Sequence, residues 1–432
     1  MFNPDKLPLA KRRKPFTISM PPPNITGELH IGHMLGLTIQ DLLIRYHRLR
    51  GEAALLVPGT DHAAIATQVV VERELRKEGV QRHEIGREKF LEHVWKWKEK
   101  YGRRIVEQTK RVGASADWSR ERFTMDKGLT LAVNTAFKRL YDDGLIYRGE
   151  RITNWCSACR TSISDLEVDH EDVPGKLWYI KYPLTDGSGH VTVATTRPET
   201  MLGDTAVAVH PGDARFASFA GKTVRLPITG RDIPIITDAK IDREFGTGAV
   251  KVTPAHDMLD YELGQTHRLP IVRIIGFDGR LLPAAGVEYC SLSVLEARQR
   301  VIEKLRGLNA IEKEEDHIHA VALCSRSKTV IEPLISKQWF VRVKPLAEKA
   351  VRAVRSGKIK IVPERFVKTY FQWMENIHDW NISRQIWWGH QLPVWYRTQN
   401  GREETRVSLT RPGPSWTQDT DTLDTWFSAG LW

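Results

Sequence analysis

A short strand that passes directly into a helix constrains the fold of this chain most. The run Thr17-Ile18-Ser19 alternates polar and apolar residues, and a turn with prolines at 21–23 follows it. After the turn, apolar residues recur at helical spacing until Gly51; they are Leu35, Ile39, Leu42, Leu43, Tyr46 and Leu49. A second apolar run, Ala53–Val57, comes next. The sequence therefore predicts a βαβ unit with its functional loops at the carboxyl ends of the strands.

The turn before this helix has the chemistry of a phosphate site that is not a P-loop. His30 and His33 are three residues apart, so a helix start would place both imidazoles on one face, beside backbone N–H groups that favour an anion. Gly32 lets a flat ring approach the backbone. Taken alone, such a pair is more often an ordinary surface feature. The turn at 21–27 and the Gly-Thr-Asp-His run at 59–62 favour the functional interpretation.

Length and composition set broad limits on the class of protein. A chain of 432 residues predicts two to three domains, and 41% hydrophobic with 27% charged residues is typical of a soluble globular protein. No apolar run has the length that spans a bilayer, so we expect a cytoplasmic protein without a membrane partner. The net charge of +11 fits a polyanionic partner without identifying it.

The pattern changes near residue 153. Short β-like runs with frequent Gly and Pro, such as Leu177–Tyr182 and His190–Ala194, continue to about Thr329. We interpret 153–329 as a β-rich domain inserted between two halves of a nucleotide-binding domain, 1–152 and 330–432. The first half is helical from about Thr67 to Tyr147. The expected fold class is therefore α/β, with a parallel sheet interrupted by a β-rich domain.

Two polar segments carry the chemistry of the predicted insertion. Thr195–Thr200 combines hydroxyls, a guanidinium and a carboxylate, and Gly246–Tyr261 supplies a lysine, threonines and aspartates. Such a pocket can bind the ammonium of an amino acid through Asp257, satisfy a substrate hydroxyl and position a water on an ester. Each segment alone is more often a polar loop that caps strands.

The cysteines are too few for a disulfide scaffold, but three of them suit a metal. Cys156 and Cys159 enter the insertion and Cys324 leaves it, so an out-and-back path could join them as a zinc knuckle. A site with four thiolates would need a cysteine where Ser327 stands. His317 or His319 are alternative fourth ligands. We favour reduced, metal-free cysteines and leave zinc open.

Residues Pro21 to His33 resemble the signature turn of class I aminoacyl-tRNA synthetases in its His-Ile-Gly-His form. Further matches continue along nearly the whole chain. The run Trp387–His390 resembles the valine-specific members more than the isoleucine and leucine members, and the segment Asp421–Trp432 also resembles the family. The resemblance implies a Rossmann-like nucleotide-binding sheet, and it implies that the β-rich insertion is an editing domain.

The resemblance also implies roles for individual residues. It assigns ATP binding to Thr26, Gly27, His30, Gly32 and His33, of which His30, Gly32 and His33 would be catalytic. It assigns the amino acid site to Pro22, Asn24, Asp61, Trp388 and Trp426, and editing to Thr195, Thr196, Arg197, Thr200, Lys251, Thr253, Asp257 and Asp260. Chemistry alone also suits Asp61 and Asn24 to turns and the tryptophans to packing. Arg384 suits either an acceptor-stem contact or a structural ion pair.

The implied activity is ATP-dependent joining of valine to tRNA(Val), with hydrolytic editing of threonyl-tRNA(Val), by a cytoplasmic monomer. ATP with Mg²⁺, valine and tRNA(Val) are the implied partners. The family's second signature, a Lys-Met-Ser-Lys-Ser-type loop, is not found in this sequence, so we expect the N-terminal portion of such an enzyme. A stand-alone editing hydrolase, an isoleucine or leucine relative, and a non-catalytic RNA-binding fragment remain alternatives.

Overall fold

The computed structural model describes residues 2–6 and 14–432. These residues form two compact units. Unit 1 contains the described residues up to Tyr147 together with Trp339–Trp432, and unit 2 contains Arg148–Gln338. No helix in the described ranges is long and apolar enough to cross a membrane.

The first segment of unit 1 is mostly helical. Its elements are β1 (Pro15–Ser19), α1 (Ile31–Leu49), β2 (Ala53–Val57), β3 (Gly59–Thr60), α2 (Ala64–Lys77), α3 (Arg82–Arg111), β4 (Arg122–Phe123) and α4 (Lys127–Asp142), followed by β5 (Ile146–Cys156). Strands β1 and β2 pair in parallel, with Pro15 opposite Ala53 and Ser19 opposite Val57. The βαβ unit that the sequence predicts is therefore present. It places the loop after β1 beside the loop after β2.

Helix α1 buries a different face from the one that its apolar spacing suggests. Leu37 and Ile44 point into the core of unit 1. The apolar residues from which the helix was predicted are exposed instead: Leu35, Ile39, Leu42, Leu43, Tyr46 and Leu49, together with Ile31. Their spacing gives the helix its correct period, but α1 is apolar on two sides and the spacing does not distinguish them.

Unit 2 is β-rich, with two helices of ten or more residues. After β5 it contains β6 (Thr161–Ile163), β7 (Val168–Pro183), β8 (His190–Thr195), β9 (Ala206–Val209), β10 (Thr223–Arg225), β11 (Asp232–Thr237), β12 (Ala249–Val252), α5 (Met258–His267), α6 (Val294–Gly307), β13 (Ile311–Cys324) and β14 (Glu332–Val341), the last of which ends in unit 1. One sheet has the order β13-β7-β8 and another the order β10-β11-β9-β12. Both sheets contribute to one apolar core, with residues such as Ile180, Val193, Val207 and Ile235.

The strands by which the chain enters and leaves unit 2 lie side by side. The hydroxyl of Thr153 donates to the carbonyl oxygen of Leu334 at 3.2 Å. The same hydroxyl lies 2.8 Å from that of Ser336. Unit 2 thus begins and ends at neighbouring positions.

The second segment of unit 1 contains α7 (Lys344–Arg355), α8 (Val367–Glu375), β15 (Trp380–Asn381), β16 (Ser383–Arg384), β17 (Val394–Gln399), β18 (Arg402–Val407), β19 (Thr417–Gln418), β20 (Thr422–Leu423) and α9 (Thr425–Ala429). Its strands pair antiparallel, β17 with β18 and β19, and β16 with β20. The sequence led us to expect a return to the parallel sheet. Among the described strands, none of this segment pairs with β1 or β2.

Hydrogen bonds join the two segments of unit 1. The indole N–H of Trp388 donates to the carbonyl oxygen of His62 at 2.8 Å. The side-chain oxygen of Gln68 accepts from the backbone N–H groups of Trp387, at 2.9 Å, and Trp388, at 3.3 Å. Trp388 is fully buried in a core that also contains Ile25 and Phe90.

Arg384 forms a structural ion pair. Its side chain and that of Asp424 are each 1% exposed, and its guanidinium contacts the Asp424 carboxylate directly. The guanidinium also donates to the carbonyl oxygens of Asn381 and Ser383, at 3.0 and 2.9 Å. Asp424 in turn caps α9 by accepting from the N–H of Trp426 at 2.9 Å. A contact with an RNA acceptor stem would need this side chain at the surface.

Replacing Arg384 by methionine is expected to destabilise unit 1 by about 3–5 kcal/mol, because it leaves the Asp424 carboxylate buried without its charged partner. Urea unfolding followed by hydrogen exchange of peptides from α4 measures this loss. The matched control is Lys138→Met, which breaks an exposed pair with Asp142 and should cost about 0.5 kcal/mol or less. Equal losses in both variants would contradict the structural role of Arg384.

Candidate functional sites

Two histidines cap the start of α1. His30 is the N-cap residue, and its Nδ1 accepts from the N–H of Gly32 at 3.2 Å. The Nδ1 of His33 accepts from the N–H of His30, also at 3.2 Å. Because each Nδ1 is an acceptor, the proton of each neutral ring lies on Nε2. Both side chains therefore present an Nε2–H donor at a helix N-terminus, where the backbone already favours an anion.

His33 lines a cavity of about 350 Å³, and the ring of His30 lies beside that of His33, with 4.0 Å between the ring centroids. The cavity is lined by Met20, Pro21, Pro22, Pro23, Asn24, Leu29, Gly32, His33, Met34, Gly36, Leu37, Gln40 and Thr109. Partial burial, and the nearby His30 when it is charged, lower the pKa of His33. Its ring is therefore neutral near pH 7. Thr26, Gly27 and His30 do not line the cavity, so only Gly32 and His33 of the predicted ATP set do.

Asn24 and Asp61 are adjacent, as the predicted amino acid site requires. They form a parallel bridge between the loops that follow β1 and β2. The Oδ1 of Asp61 accepts from the N–H of Ala63 at 2.8 Å and lies 3.2 Å from the Nδ1 of His62. Burial acts to raise the pKa of Asp61, but His62 and the Ala63 N–H outweigh it and hold the pKa below its usual value. Asp61 is therefore a buried carboxylate that stays ionised.

The aromatic residues of the predicted amino acid site lie in different surroundings. Trp388 is buried and bonded to the carbonyl oxygen of His62, directly after Asp61 in the chain. Trp426, on α9, is 54% exposed, and among the described residues no aromatic ring contacts it. Trp432, which the sequence analysis missed, donates from its indole N–H to the carbonyl oxygen of Met20 at 2.9 Å. A side chain at Gly59 would meet its ring at 2.1 Å, so this approach requires glycine there.

A cavity in unit 2, also of about 350 Å³, brings together all eight residues of the predicted editing set. They are Thr195, Thr196, Arg197, Thr200, Lys251, Thr253, Asp257 and Asp260. The ends of β8 and β12 and the start of α5 supply these side chains. The two sequence segments therefore supply the polar side chains of one cavity, whose lining also includes apolar residues such as Ile241 and Phe245, although each segment alone suited a simple loop.

A buried network fixes the floor of this cavity. The Oδ1 of Asp204 accepts from the hydroxyl of Thr253 at 2.5 Å and from the ammonium of Lys251 at 3.3 Å. Its Oδ2 accepts from the hydroxyl of Tyr182 at 2.7 Å. Burial raises the pKa of Asp204 although Lys251 opposes this shift. Asp204 was missed from sequence, but a carboxylate between Met201-Leu202-Gly203 and the apolar strand β9 is a recognisable sign of a buried polar group.

Arg197 is held by carboxylates. Its guanidinium bonds Glu332 at 2.5 Å and Glu199 at 3.2 Å. Glu199 is fully buried and also pairs with Arg298, at 2.8 and 2.9 Å. Two cations and two anions thus neutralise one another. Arg197 lines the cavity. Its ion pairs with Glu332 and Glu199 also order the polar segment that follows β8.

Two aspartates lie at the start of α5. Asp257 is exposed and caps the helix by accepting from the N–H groups of Leu259 and Asp260. Asp260 is buried and accepts from the N–H of Thr253 at 2.8 Å. Burial, with the nearby charge of Asp257, raises the pKa of Asp260 to about 7. The cavity therefore offers one exposed carboxylate that caps a helix and one buried carboxyl that exchanges a proton near neutral pH.

The three predicted zinc candidates converge. The sulfurs of Cys156, Cys159 and Cys324 all lie within 4.8 Å of one another in buried positions. His317 and His319 are excluded as further ligands, because both lie earlier on the extended strand β13, at least five residues before Cys324. At about 3.3 Å per residue this is roughly 16 Å or more. Three thiols can bind a zinc ion, which usually takes four ligands. The hydroxyl of Ser327 lies beside them, 3.2 Å from the Cys156 sulfur.

One buried group beside Asp61 also escaped the sequence analysis. His390 contacts the ring of His62 edge-on, with 5.1 Å between centroids. Neither of its ring nitrogens has a hydrogen-bond partner among the described residues. Burial lowers the pKa of His390 to about 3, so the ring is neutral. In the sequence it was visible only as part of the Trp-Trp-Gly-His run.

Comparisons with known proteins agree on one family. Residues 2–412 match the model of the class I tRNA synthetases for isoleucine, leucine, methionine and valine. The chain is similar to the valine–tRNA ligase of Carboxydothermus hydrogenoformans, with 56% identity over 97% of this chain and 48% of the ligase. The corresponding values are 55%, 97% and 48% for Dehalococcoides mccartyi, and 54%, 96% and 48% for Geobacter sulfurreducens. The chain spans about half the length of these relatives.

A solved ternary complex of LeuRS from Agrobacterium radiobacter K84 with tRNA and LeuAMS also matches. The match covers 99% of this chain and 56% of that chain, with a TM-score of 0.42 and 16% identity. At this score we draw no argument from it.

The raised pKa of Asp260 predicts a stability that falls with pH. The folded unit favours the protonated carboxyl, so this contribution is complete below about pH 4 and is lost as the pH rises through about 7. The loss is up to about 1.4 kcal/mol per pH unit. Asp260→Asn keeps an acceptor for Thr253 and should remove this dependence. Urea unfolding at pH 5–8, followed by hydrogen exchange in β12, measures the difference; parallel pH curves for both proteins would contradict it.

Proposed function

Because the chain belongs to the class I tRNA synthetases for isoleucine, leucine, methionine and valine, we propose that it carries the amino acid site and the editing site of a valine–tRNA ligase. The observation that carries the choice of valine is the identity of 52–56% to valine–tRNA ligases over nearly the whole chain. The complete ligase would activate valine with ATP and transfer it to tRNA(Val).

In this proposal residues 1–152 and 330–432, which include all of unit 1, form the Rossmann-like catalytic domain, and the inserted residues 153–329, which lie within unit 2, are the editing domain. The parallel pair β1 and β2 with the crossover α1 supports this for the catalytic domain, since such sheets bind nucleotides at the carboxyl ends of their strands. The β-rich composition of unit 2 and its polar cavity support it for the insertion.

Activation would use positioning and charge stabilisation, with no covalent intermediate on the protein. Valine's carboxylate attacks the α-phosphorus of ATP while the bond from that phosphorus to the oxygen bridging the α- and β-phosphates breaks. Pyrophosphate leaves, and negative charge develops on the phosphate oxygens during the displacement. The Nε2–H groups of His30 and His33 are directed away from the caps that orient them, so both can donate to those oxygens. Gly32 leaves the backbone accessible between them. Mg²⁺ would arrive with the ATP phosphates as part of the substrate.

Recognition of valine would depend on the cluster around Asp61. An ionised, buried carboxylate is a suitable partner for the substrate ammonium, and Asn24 lies beside it. Pro22 and the buried Trp388 would supply the apolar wall for a branched side chain. Trp426 stays a proposed member of this wall, and Trp432 is added because its ring lies between Met20 and Gly59.

An apolar site cannot strongly reject threonine, which has the shape of valine with a hydroxyl. The limit is about 10²-fold, and the valine enzyme is itself the standard example of it. A second, polar cavity removes such errors. Asp257 would bind the ammonium of the misplaced threonine, and the Thr and Asp side chains would satisfy its hydroxyl. Asp260, with its pKa near 7, would exchange a proton with the water that attacks the ester.

Binding of a non-hydrolysable valyl-adenylate analogue to the full chain tests the amino acid site. Calorimetry should give tighter binding than for the isoleucyl and leucyl analogues, and Asp61→Asn should weaken it by about tenfold or more, because a charge-assisted bond is lost. Asp41→Asn is the control. Asp41 accepts a hydrogen bond from the backbone N–H of Ser115 and does not line the cavity. Preference for the isoleucyl or leucyl analogue would overturn the choice of valine.

Deacylation of threonyl-tRNA(Val), with valyl-tRNA(Val) as comparison, tests the editing site. The full chain should release threonine selectively, and Asp257→Asn should slow release by about tenfold or more while keeping the helix cap. Asp213→Asn changes a carboxylate cap of the same unit that lies outside the cavity and should leave the rate unchanged. Equal release of both amino acids, or equal rates in both variants, would contradict the assignment.

The two assays also separate the alternatives. Selective deacylation without binding of any adenylate analogue would favour a stand-alone editing hydrolase. The observation that supports this alternative is that all eight residues of the predicted editing set line one cavity. Failure of both assays with a folded chain would favour a non-catalytic RNA-binding fragment.

A further inference from the structure

Asp204 is a fully buried carboxylate that does not itself line the unit 2 cavity. Three side chains donate hydrogen bonds to it: the hydroxyls of Thr253 and Tyr182 and the ammonium of Lys251. Of these donors, Thr253 and Lys251 line the cavity and Tyr182 does not. Asp204 can therefore affect a ligand in the cavity only through Thr253 and Lys251.

The chemistry of this buried network assigns its protons. Burial, with the charge of Asp204, holds the pKa of Tyr182 well above its usual value, so this hydroxyl keeps its proton and donates to Oδ2 at 2.7 Å. The other oxygen, Oδ1, accepts from Thr253 at 2.5 Å and from Lys251 at 3.3 Å. An ionised carboxylate is an acceptor at both oxygens and can take all three bonds. The positive charge of Lys251 compensates its buried negative charge.

The hydroxyl of Thr253 has its only proton directed at Asp204. The same hydroxyl accepts a hydrogen bond from the ammonium of Lys251 at 2.7 Å. Because a hydroxyl has one proton and two lone pairs, a single lone pair is left after these two bonds. Thr253 can therefore accept a hydrogen bond from a ligand in the cavity but cannot donate one.

Lys251 has the opposite capacity. Its ammonium has three N–H donors, of which one is used on Thr253 and one on Asp204. Among the described residues no other side chain or carbonyl accepts from it. The two lining residues thus offer a ligand one acceptor and one donor, on atoms 2.7 Å apart. A ligand hydroxyl can use both, whereas a methyl group can use neither.

We propose that Asp204 is a positioning residue that makes this cavity selective for a side-chain hydroxyl. By holding the proton of Thr253, it leaves an acceptor on Thr253 beside a donor on Lys251, and the hydroxyl of a threonyl ester bonds to both. This inference rests on the editing function proposed above, and it adds the atoms that would recognise the hydroxyl of threonine.

The substitution Asp204→Asn reverses this arrangement at nearly constant shape. Asparagine has one acceptor oxygen, and Tyr182, which has a proton to donate, takes it. The amide N–H groups then face Thr253, which accepts from asparagine and from Lys251 and has no lone pair left. Its proton turns towards the cavity, so a ligand there meets two donors and no acceptor.

Calorimetry of the full chain with two amides tests the proposal. Both are adenosine with an amino acid in amide linkage at the ribose, one with threonine and one with 2-aminobutyrate, which differs only in lacking the hydroxyl. The parent should bind the threonyl amide about tenfold or more tightly than the other, and Asp204→Asn should reduce this ratio to about threefold or less. Thr253→Val removes the acceptor itself and should reduce the ratio to the same value.

The matched control is Tyr182→Phe, which removes another hydrogen bond of Asp204 but leaves the proton of Thr253 in place. It should keep the parent's ratio, and urea unfolding checks that each variant is folded. The proposal is overturned by a parent that does not distinguish the amides, by a folded Asp204→Asn or Thr253→Val variant that keeps the parent's ratio, or by an equal loss in Tyr182→Phe.

The amides are not hydrolysed, so this test is separate from that of the proposed function. Release of threonine from threonyl-tRNA(Val) is measured on the same protein. A parent that distinguishes the amides but releases no threonine would contradict hydrolytic editing and would still support the role of Asp204.

Discussion

Unit 1 depends on hydrogen bonds between parts of the chain that are far apart in sequence. Trp388 donates to the carbonyl oxygen of His62, 326 positions earlier, and Gln68 accepts from the same tryptophan's backbone. The entropy cost of closing so long a loop grows only with the logarithm of its length, so a well-packed core can offset it. The same contacts position Asp61, because it precedes His62 directly. The proposed amino acid site is therefore a product of how the two segments of unit 1 close.

The two candidate sites use buried charge in opposite ways. In unit 1, Asp61 is ionised because neighbouring donors outweigh its burial. In unit 2, burial and a like charge hold Asp260 near the middle of its titration, while Asp257 at the helix start stays exposed. A fixed anion suits binding of an ammonium, and a titrating carboxyl suits hydrolysis. The two carboxylates differ in how each is solvated and in which groups lie beside it.

Local pattern predicted the βαβ unit and which predicted residues share the unit 2 cavity, but not the long-range partners of these residues. The βαβ unit and the eight residues of the unit 2 cavity followed from spacing and resemblance. The buried face of α1 did not, since apolar residues lie on two of its sides. Asp204 and His390 were missed because their roles depend on strands and loops that meet only in the folded chain. The role of Arg384 could not be chosen from the sequence, because it depends on the ion pair with Asp424. The antiparallel pairing after β14 was likewise invisible to periodicity, which gives strands but not their neighbours.

The bond between Thr153 and Leu334 has a consequence for how such a protein can change over time. Because unit 2 starts and finishes at neighbouring points on β5 and β14, its removal leaves a gap that a short peptide can bridge, and its gain requires a single insertion. A domain inserted in this way can be added to or lost from a lineage without redesign of the domain that contains it. For the same reason, unit 2 can be deleted or transferred as one continuous segment in protein engineering.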